Sequence, residues 1–197
     1  MRAAFDKLIS GAGLLLAIVF LVAGGMLAYA SSYVAGEVKD QLGAQDITMP
    51  EGAALEKLPK ADQDALKPYA GSPLDTGPEA KAYADHYIQA HMNAMSGGKT
   101  YSEVSAQYLA MTDEQKASPE GQQMGQLRLT LFQGNTLRGL LLYGAAFATM
   151  GTLAGYAAIV AFVGAAILLV LGVLGLLHAR RAAPAAPAAT ATPEPES

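Results

Sequence analysis

The sequence predicts an all-α membrane protein: two transmembrane helices, with both termini inside, flank a small helical extracytoplasmic domain, and the second helix extends outside the membrane. Three observations predict it. Hydrophobic residues are 52% of the chain and charged residues 15%, where a soluble domain carries about 25% charged residues. Residues 8–30 and 139–177 contain no Asp, Glu, Lys or Arg, the segregation a bilayer demands because hydrocarbon cannot solvate charge. Basic residues flank both runs on the side away from the centre of the chain: Arg2 and Lys7 before the first, Arg180 and Arg181 after the second. The positive-inside rule then puts both termini in the cytoplasm and the centre outside.

The N-terminal residues 1–7 are a short cytoplasmic segment, and 8–30 form the first span. Its twenty-three residues make about 34 Å of helix, enough for a hydrocarbon core of about 30 Å. Tyr29 and Tyr33 fall at its far end, where aromatic rings favour the interface. Ala28-Tyr29-Ala30 before Ser31 also resembles a small-x-small cleavage site, but the apolar core of a cleavable signal peptide is about 7–15 residues. The length favours a retained anchor.

Residues 31–136 form the outer domain. Val34, Val38 and Leu42 continue the helix at four-residue spacing until Gly43. Residues 45–52 alternate and then break at Pro50, which suits a short extended segment. Residues 51–77, rich in Pro, Gly, Asp and Lys, read as loop with a short helix. The next helix is better marked: Asp75-Thr76-Gly77-Pro78-Glu79 supplies a cap, a first-turn proline and an acid near the positive end of the dipole. Ala80, Tyr83, Ala84, Tyr87, Ile88, His91, Ala94 and Met95 then form one stripe that reads as buried, and Gly97-Gly98 stops the helix. A shorter helix starts near Tyr101, and Ser118-Pro119-Glu120 starts another through Met124, Leu127, Leu131 and Phe132.

The second apolar region runs for thirty-nine residues, about 58 Å as one helix and nearly twice the membrane. Two geometries compete: a span over 156–177 whose extension, residues 137–155, packs on the domain, or an additional short span over 140–153. Arg180 and Arg181 favour the first, because three spans would leave them outside. The many Gly and Ala residues between 139 and 155 suit close helix packing, and Gly151 and Gly155 are spaced to admit another helix, including one from a second copy. Residues 178–197 begin at His178 and pass into a Pro/Ala-rich tail that has no means of building a core.

The chemistry the chain can carry is limited. It has no cysteine, which removes disulfides and thiolate chemistry. The segment 31–138 holds nine Lys or Arg against fourteen Asp or Glu, and that acidity argues against nucleic acid as a partner. His86 and His91 stand five residues apart, about 140° around a helix, so they share no metal-binding face. His91, on the stripe with Tyr83 and Tyr87, is either a ligand-binding group or a core histidine bonded to a carbonyl. Gly97-Gly98-Lys99-Thr100 lacks the first glycine of a phosphate loop and follows a helix, so it reads as a helix end and a helix start. No cofactor, catalytic residue or metal ligand is predicted. The residues to watch are Tyr83, Tyr87, His91, Lys99, Tyr101 and Arg138.

The order of short motifs resembles a family of small actinobacterial membrane proteins of unknown function. It rests on Gln41-Leu42 with Asp46-Ile47-Thr48; Gly77-Pro78 with Ala82, Ala84, Asp85 and His91; Gly97 through Tyr101; and Leu137-Arg138-Gly139-Leu140-Leu141. Members often carry the label "aromatic ring-opening dioxygenase", which implies non-haem iron on two histidines and a carboxylate. The residues themselves point elsewhere, to a non-enzymatic accessory or scaffold component that contacts the lipid bilayer and another membrane or envelope protein. A small-ligand sensor is the third expectation, resting on the Tyr83, Tyr87 and His91 stripe.

Overall fold

The computed structural model describes residues 2–181; the predicted Pro/Ala-rich tail lies outside the described residues. Among them the chain is helical and has no strand. Its elements are α1 (Arg2–Gly43), α2 (Gly52–Glu56), α3 (Lys60–Leu66), a 3₁₀ turn (Lys67–Tyr69), α4 (Gly77–Ala82), a π-helical turn (Tyr83–Ile88), α5 (Gln89–Ser96), α6 (Tyr101–Leu109), α7 (Asp113–Ala117) and α8 (Pro119–Arg181). Helices α1 and α8 are both long and apolar enough to cross a membrane. Residues up to Ala28 together with those from Tyr156 form one compact unit, and Tyr29–Gly155 form the other.

In the first unit the two long helices run antiparallel and meet through small residues. Ser10, Ala17 and Gly24 of α1 are buried at seven-residue steps, as are Ala158, Ala165, Gly172 and Ala179 of α8. Gly24 lies under the Phe162 ring, and a Cβ on Gly172 would come within 2.8 Å of the Leu14 side chain. A strict seven-residue repeat holds one seam of each helix against its partner, and small side chains let the backbones approach. Val19, Val22, Ile159, Val160 and Val163 are exposed around that seam.

The second unit has a core in which α1 and α8 meet the short helices. Val38, Leu42, Met49, Leu66, Leu74, Ile88, Val104, Leu131 and Leu141 are buried in one cluster. Two short extended pieces meet at the Thr48–Pro73 bridge, where Leu74 N–H donates to Ile47 O at 2.8 Å and Met49 N–H to Ser72 O at 2.9 Å. The alternating 45–52 segment finds its partner there.

Helix starts follow their caps. Thr76 accepts from Glu79 N–H while the Glu79 carboxylate reaches back to Thr76 N–H at 3.0 Å, and Pro78 occupies the first turn. Thr100 with Glu103 and Thr112 with Gln115 make two more such reciprocal caps, each satisfying donors that the first helical turn leaves free. Gly97 and Gly98, at φ +63° and +82°, end α5 with Gly98 N–H donating to Asn93 O at 2.9 Å, a left-handed finish that glycine adopts without strain.

One expectation needs correction: the stripe predicted as buried is buried at Ala80, Ala84 and Ile88, with Tyr83 and Tyr87 partly buried against the core, but not beyond. Ala80, Ala84, Ile88, Met92 and Ser96 face the core, whereas His91, Ala94 and Met95 are exposed. A four-residue step in an α-helix overshoots a full turn by about 40°, so such a row should drift around the helix. The wider π turn advances less per residue and cancels part of that drift. It thereby keeps the four-spaced row on one face and turns His91 out. Residues 137–155, expected as a helical extension of the second apolar segment, belong to one long helix. They are the middle of α8, which runs unbroken from Pro119. The alternative of a separate short span over 140–153 therefore has no bend to reverse the chain. Leu141 and Ala145 are buried in the second unit's core, and Gly77 sits directly against Ala148, leaving no room for a Cβ.

Candidate functional site

The six residues singled out in the sequence do not converge on one site. Tyr83, Tyr87 and His91 do form a ladder along the π turn and α5, the two tyrosines half-buried against the core and His91 exposed. The two tyrosine rings lie 4.8 Å apart, and the Tyr87 and His91 rings 4.4 Å apart. Burial pushes the Tyr83 hydroxyl pKa up, and neighbouring Tyr87 adds to that. His91 Nδ1 donates to Tyr87 O at 2.8 Å. This is the carbonyl bond expected of a core histidine, but made by an exposed one. Beside the ladder is an open hollow of about 270 Å³ whose far wall is Thr130, Gln133, Gly134 and Leu137 of α8.

Arg138 ties α8 to the π turn: a guanidinium nitrogen donates to Asp85 at 2.7 Å, and Lys81 reaches the same carboxylate at 2.6 Å. Burial acts to raise the Asp85 pKa, but hydrogen bonds and charge from Lys81 and Arg138 hold it below the usual carboxylate range. Arg138 Nε is buried without a partner. The next residue of the same turn, His86, is also held: its Nδ1 lies 2.9 Å from Asp62 on α3. Lys99 donates to Gln107 at 3.1 Å, and Tyr101 packs on Phe132 with ring centres 5.9 Å apart. The Gly-Gly-Lys-Thr run is thus a helix end followed by a capping threonine.

The iron implied by the ring-opening label does not fit. Among the described residues no three His, Asp or Glu side chains are grouped to hold a metal ion, and His86 and His91 are directed to separate partners, Asp62 and the Tyr87 carbonyl. Gly151 and Gly155 do admit a close helix, and it is the chain's own α1. A Cβ on Gly151 would lie 2.9 Å from Val34, and one on Gly155 2.9 Å from Ser31 Oγ. That face is covered by α1 within the chain.

The sequence reading missed a groove of about 530 Å³ between α1 and α8 in the second unit. One wall is Tyr33, Val34, Glu37, Val38, Gln41 and Leu42 of α1 with Gln45 just past its end; the α8 wall is Leu137, Leu140, Leu141, Gly144 and Phe147. The signal was present in the alternation of Glu37 and Gln41 with Val34, Val38 and Leu42 along one helix. That pattern gives α1 a polar edge beside its buried one. Among the described residues Glu37 makes no ion pair, while Lys39 and Arg138 pair with Asp75 and Asp85.

The chain matches no protein-family profile, no curated protein and no solved structure.

Proposed function

We propose that this chain is a membrane hairpin that works by contact: a non-enzymatic accessory or scaffold component of the cell envelope, with both termini inside and the segment between its spans outside. The observation that carries the reading is the surface of α8 between residues 139 and 155. It has no charge, and Leu140, Tyr143, Phe147, Met150 and Leu153 are all exposed on it. A hydrocarbon core accommodates about 20 residues of helix, and 156–177 already supply twenty-two. The apolar surface therefore exceeds what the bilayer needs, and exposed patches of this kind mark interaction sites.

The chain's own chemistry agrees. Glu79 and Glu103 outside the spans are occupied by helix caps and Asp85 and Arg138 by an ion pair, and no Asp, Glu, Lys, Arg or His lies within either span, where transporters and pumps hold such groups. The resemblance to the small actinobacterial membrane family belongs to the same proposal. The test is purification of the whole protein from its native membrane in a mild detergent. Assembly with another envelope polypeptide, weakened by Phe147→Glu and unaffected by the same change at exposed Leu109, is the expected result. A bare monomer under all mild conditions contradicts the reading.

A second reading, a sensor of a small apolar ligand, is favoured by the Tyr83–Tyr87–His91 ladder and its hollow. It predicts a ligand-induced thermal shift that disappears in Tyr87→Ala. A shift that survives that substitution counts against it.

A further inference from the structure

We propose that the α1–α8 groove is the seat of one amphipathic helix from another polypeptide, carrying Lys or Arg along the edge that meets Glu37, Gln41 and Gln45. The proposal rests on the contact reading above and names the partner's chemistry. Two features of the groove select this occupant. The first is spacing. The α8 wall presents Leu137, Leu140, Gly144 and Phe147 at steps of three and four, and the α1 wall presents Val34, Val38 and Gln41 at steps of four and three. Two antiparallel helices offering seams with that alternation make the holes into which a third helix inserts its knobs.

The second feature is charge. Glu37 and Gln41 stand one turn apart on α1 and Gln45 follows just past its end, a polar edge facing an apolar wall. A lipid brings one head group, whereas a helix presents a side chain at every turn along such an edge. Glu37 has no cation of its own among the described residues, and the segment 31–138 is acidic overall, so a basic edge is attracted and an acidic one repelled. A second copy is disfavoured by the same count: the groove walls contain no Lys or Arg, so pairing groove to groove would bring Glu37 toward its own duplicate.

The test uses the full-length protein in phosphatidylcholine vesicles, with a photoreactive benzoylphenylalanine replacing Leu140. Two synthetic helical peptides serve as probes. They share one apolar face and differ only in carrying Lys or Glu at three positions spaced four apart beside it. The Lys peptide should be crosslinked severalfold more than the Glu peptide, and Glu37→Lys should reverse that preference. The same photoreactive residue at Leu109, exposed elsewhere in the unit, should show no preference.

Equal labelling of both peptides, crosslinks to phosphatidylcholine only, crosslinks to a second copy, or a preference untouched by Glu37→Lys would each overturn the proposal. The two readings fail separately. A wrong topology removes the hairpin, whereas a correct topology with no charge preference removes only this assignment.

Discussion

Replacing glycine by alanine at two positions of α8 should move stability in opposite directions. At Gly139 a new Cβ meets nothing within 4 Å. The change therefore adds only helix propensity, about 1 kcal/mol in favour of the fold. At Gly151 the Cβ would stand 2.9 Å from Val34 Cγ1 and 3.2 Å from Val34 Cβ. Val34 is β-branched and held on its own helix, so α1 and α8 must separate by a few tenths of an ångström. Overpacking of that kind costs about 1–3 kcal/mol. Set against the same propensity gain of about 1 kcal/mol, the net loss is about 1 kcal/mol. The two variants should therefore differ by about 2 kcal/mol, or about 4–8 °C in Tm for a chain of this size. Helical circular dichroism followed through a thermal melt in one detergent reads the difference, and Gly151→Leu should lower Tm further than Gly151→Ala. If Gly151→Ala raised Tm as much as Gly139→Ala, α1 would not be lying against that face, and the account of the seam would be wrong.

Other expectations follow from the ionised groups. Glu79 is almost fully buried, and burial acts to raise its pKa; hydrogen bonds from the Thr76 and Ser72 hydroxyls and the Asp75 and Thr76 backbone N–H groups outweigh it and lower the value. A carboxylate lowered in the folded state stabilises the fold above its ordinary value near 4.5, and that contribution is lost as pH falls through the lowered value. Glu79→Gln should therefore melt lower than the parent at pH 7, with the gap closing under acid; a gap that stays constant would refute the role of the charge. Arg138→Met should destabilise by about 1–2 kcal/mol, because a partly buried Asp85 keeps only Lys81. The adjoining π turn should then show faster amide exchange, and unchanged exchange there would mean that the ion pair does not hold it.

What the sequence made legible was whatever rests on local chemistry. The uncharged runs, the Thr76 and Thr100 starts, the stop at Gly97-Gly98 and the extended 45–52 segment each depend on a few adjacent residues, and each is found where the pattern put it. The stripe was read correctly as far as Ile88, with Tyr83 and Tyr87 against the core, but not at His91, Ala94 and Met95, which are exposed. A π turn leaves no mark on residue type, and one extra residue per turn is enough to turn His91 outward. The seven-residue rows of Ser10, Ala17 and Gly24 and of Ala158, Ala165 and Gly172 were present in the sequence but hidden, because Ala and Gly are also common throughout the flanking residues. The groove was illegible for a different reason. It needs two helix faces from opposite ends of the chain, and no local pattern pairs Glu37 with Phe147. The same holds for the Asp85–Arg138 bond.

Everything about partners depends on the hairpin, and the chain's lack of cysteine makes that claim directly measurable. Single cysteines placed at Asp6, Ser118 and His178 can be offered a membrane-impermeant maleimide in intact cells. The account predicts labelling at position 118 alone, with positions 6 and 178 reacting only after permeabilisation. Labelling of position 178 in intact cells, or protection of position 118, would contradict it.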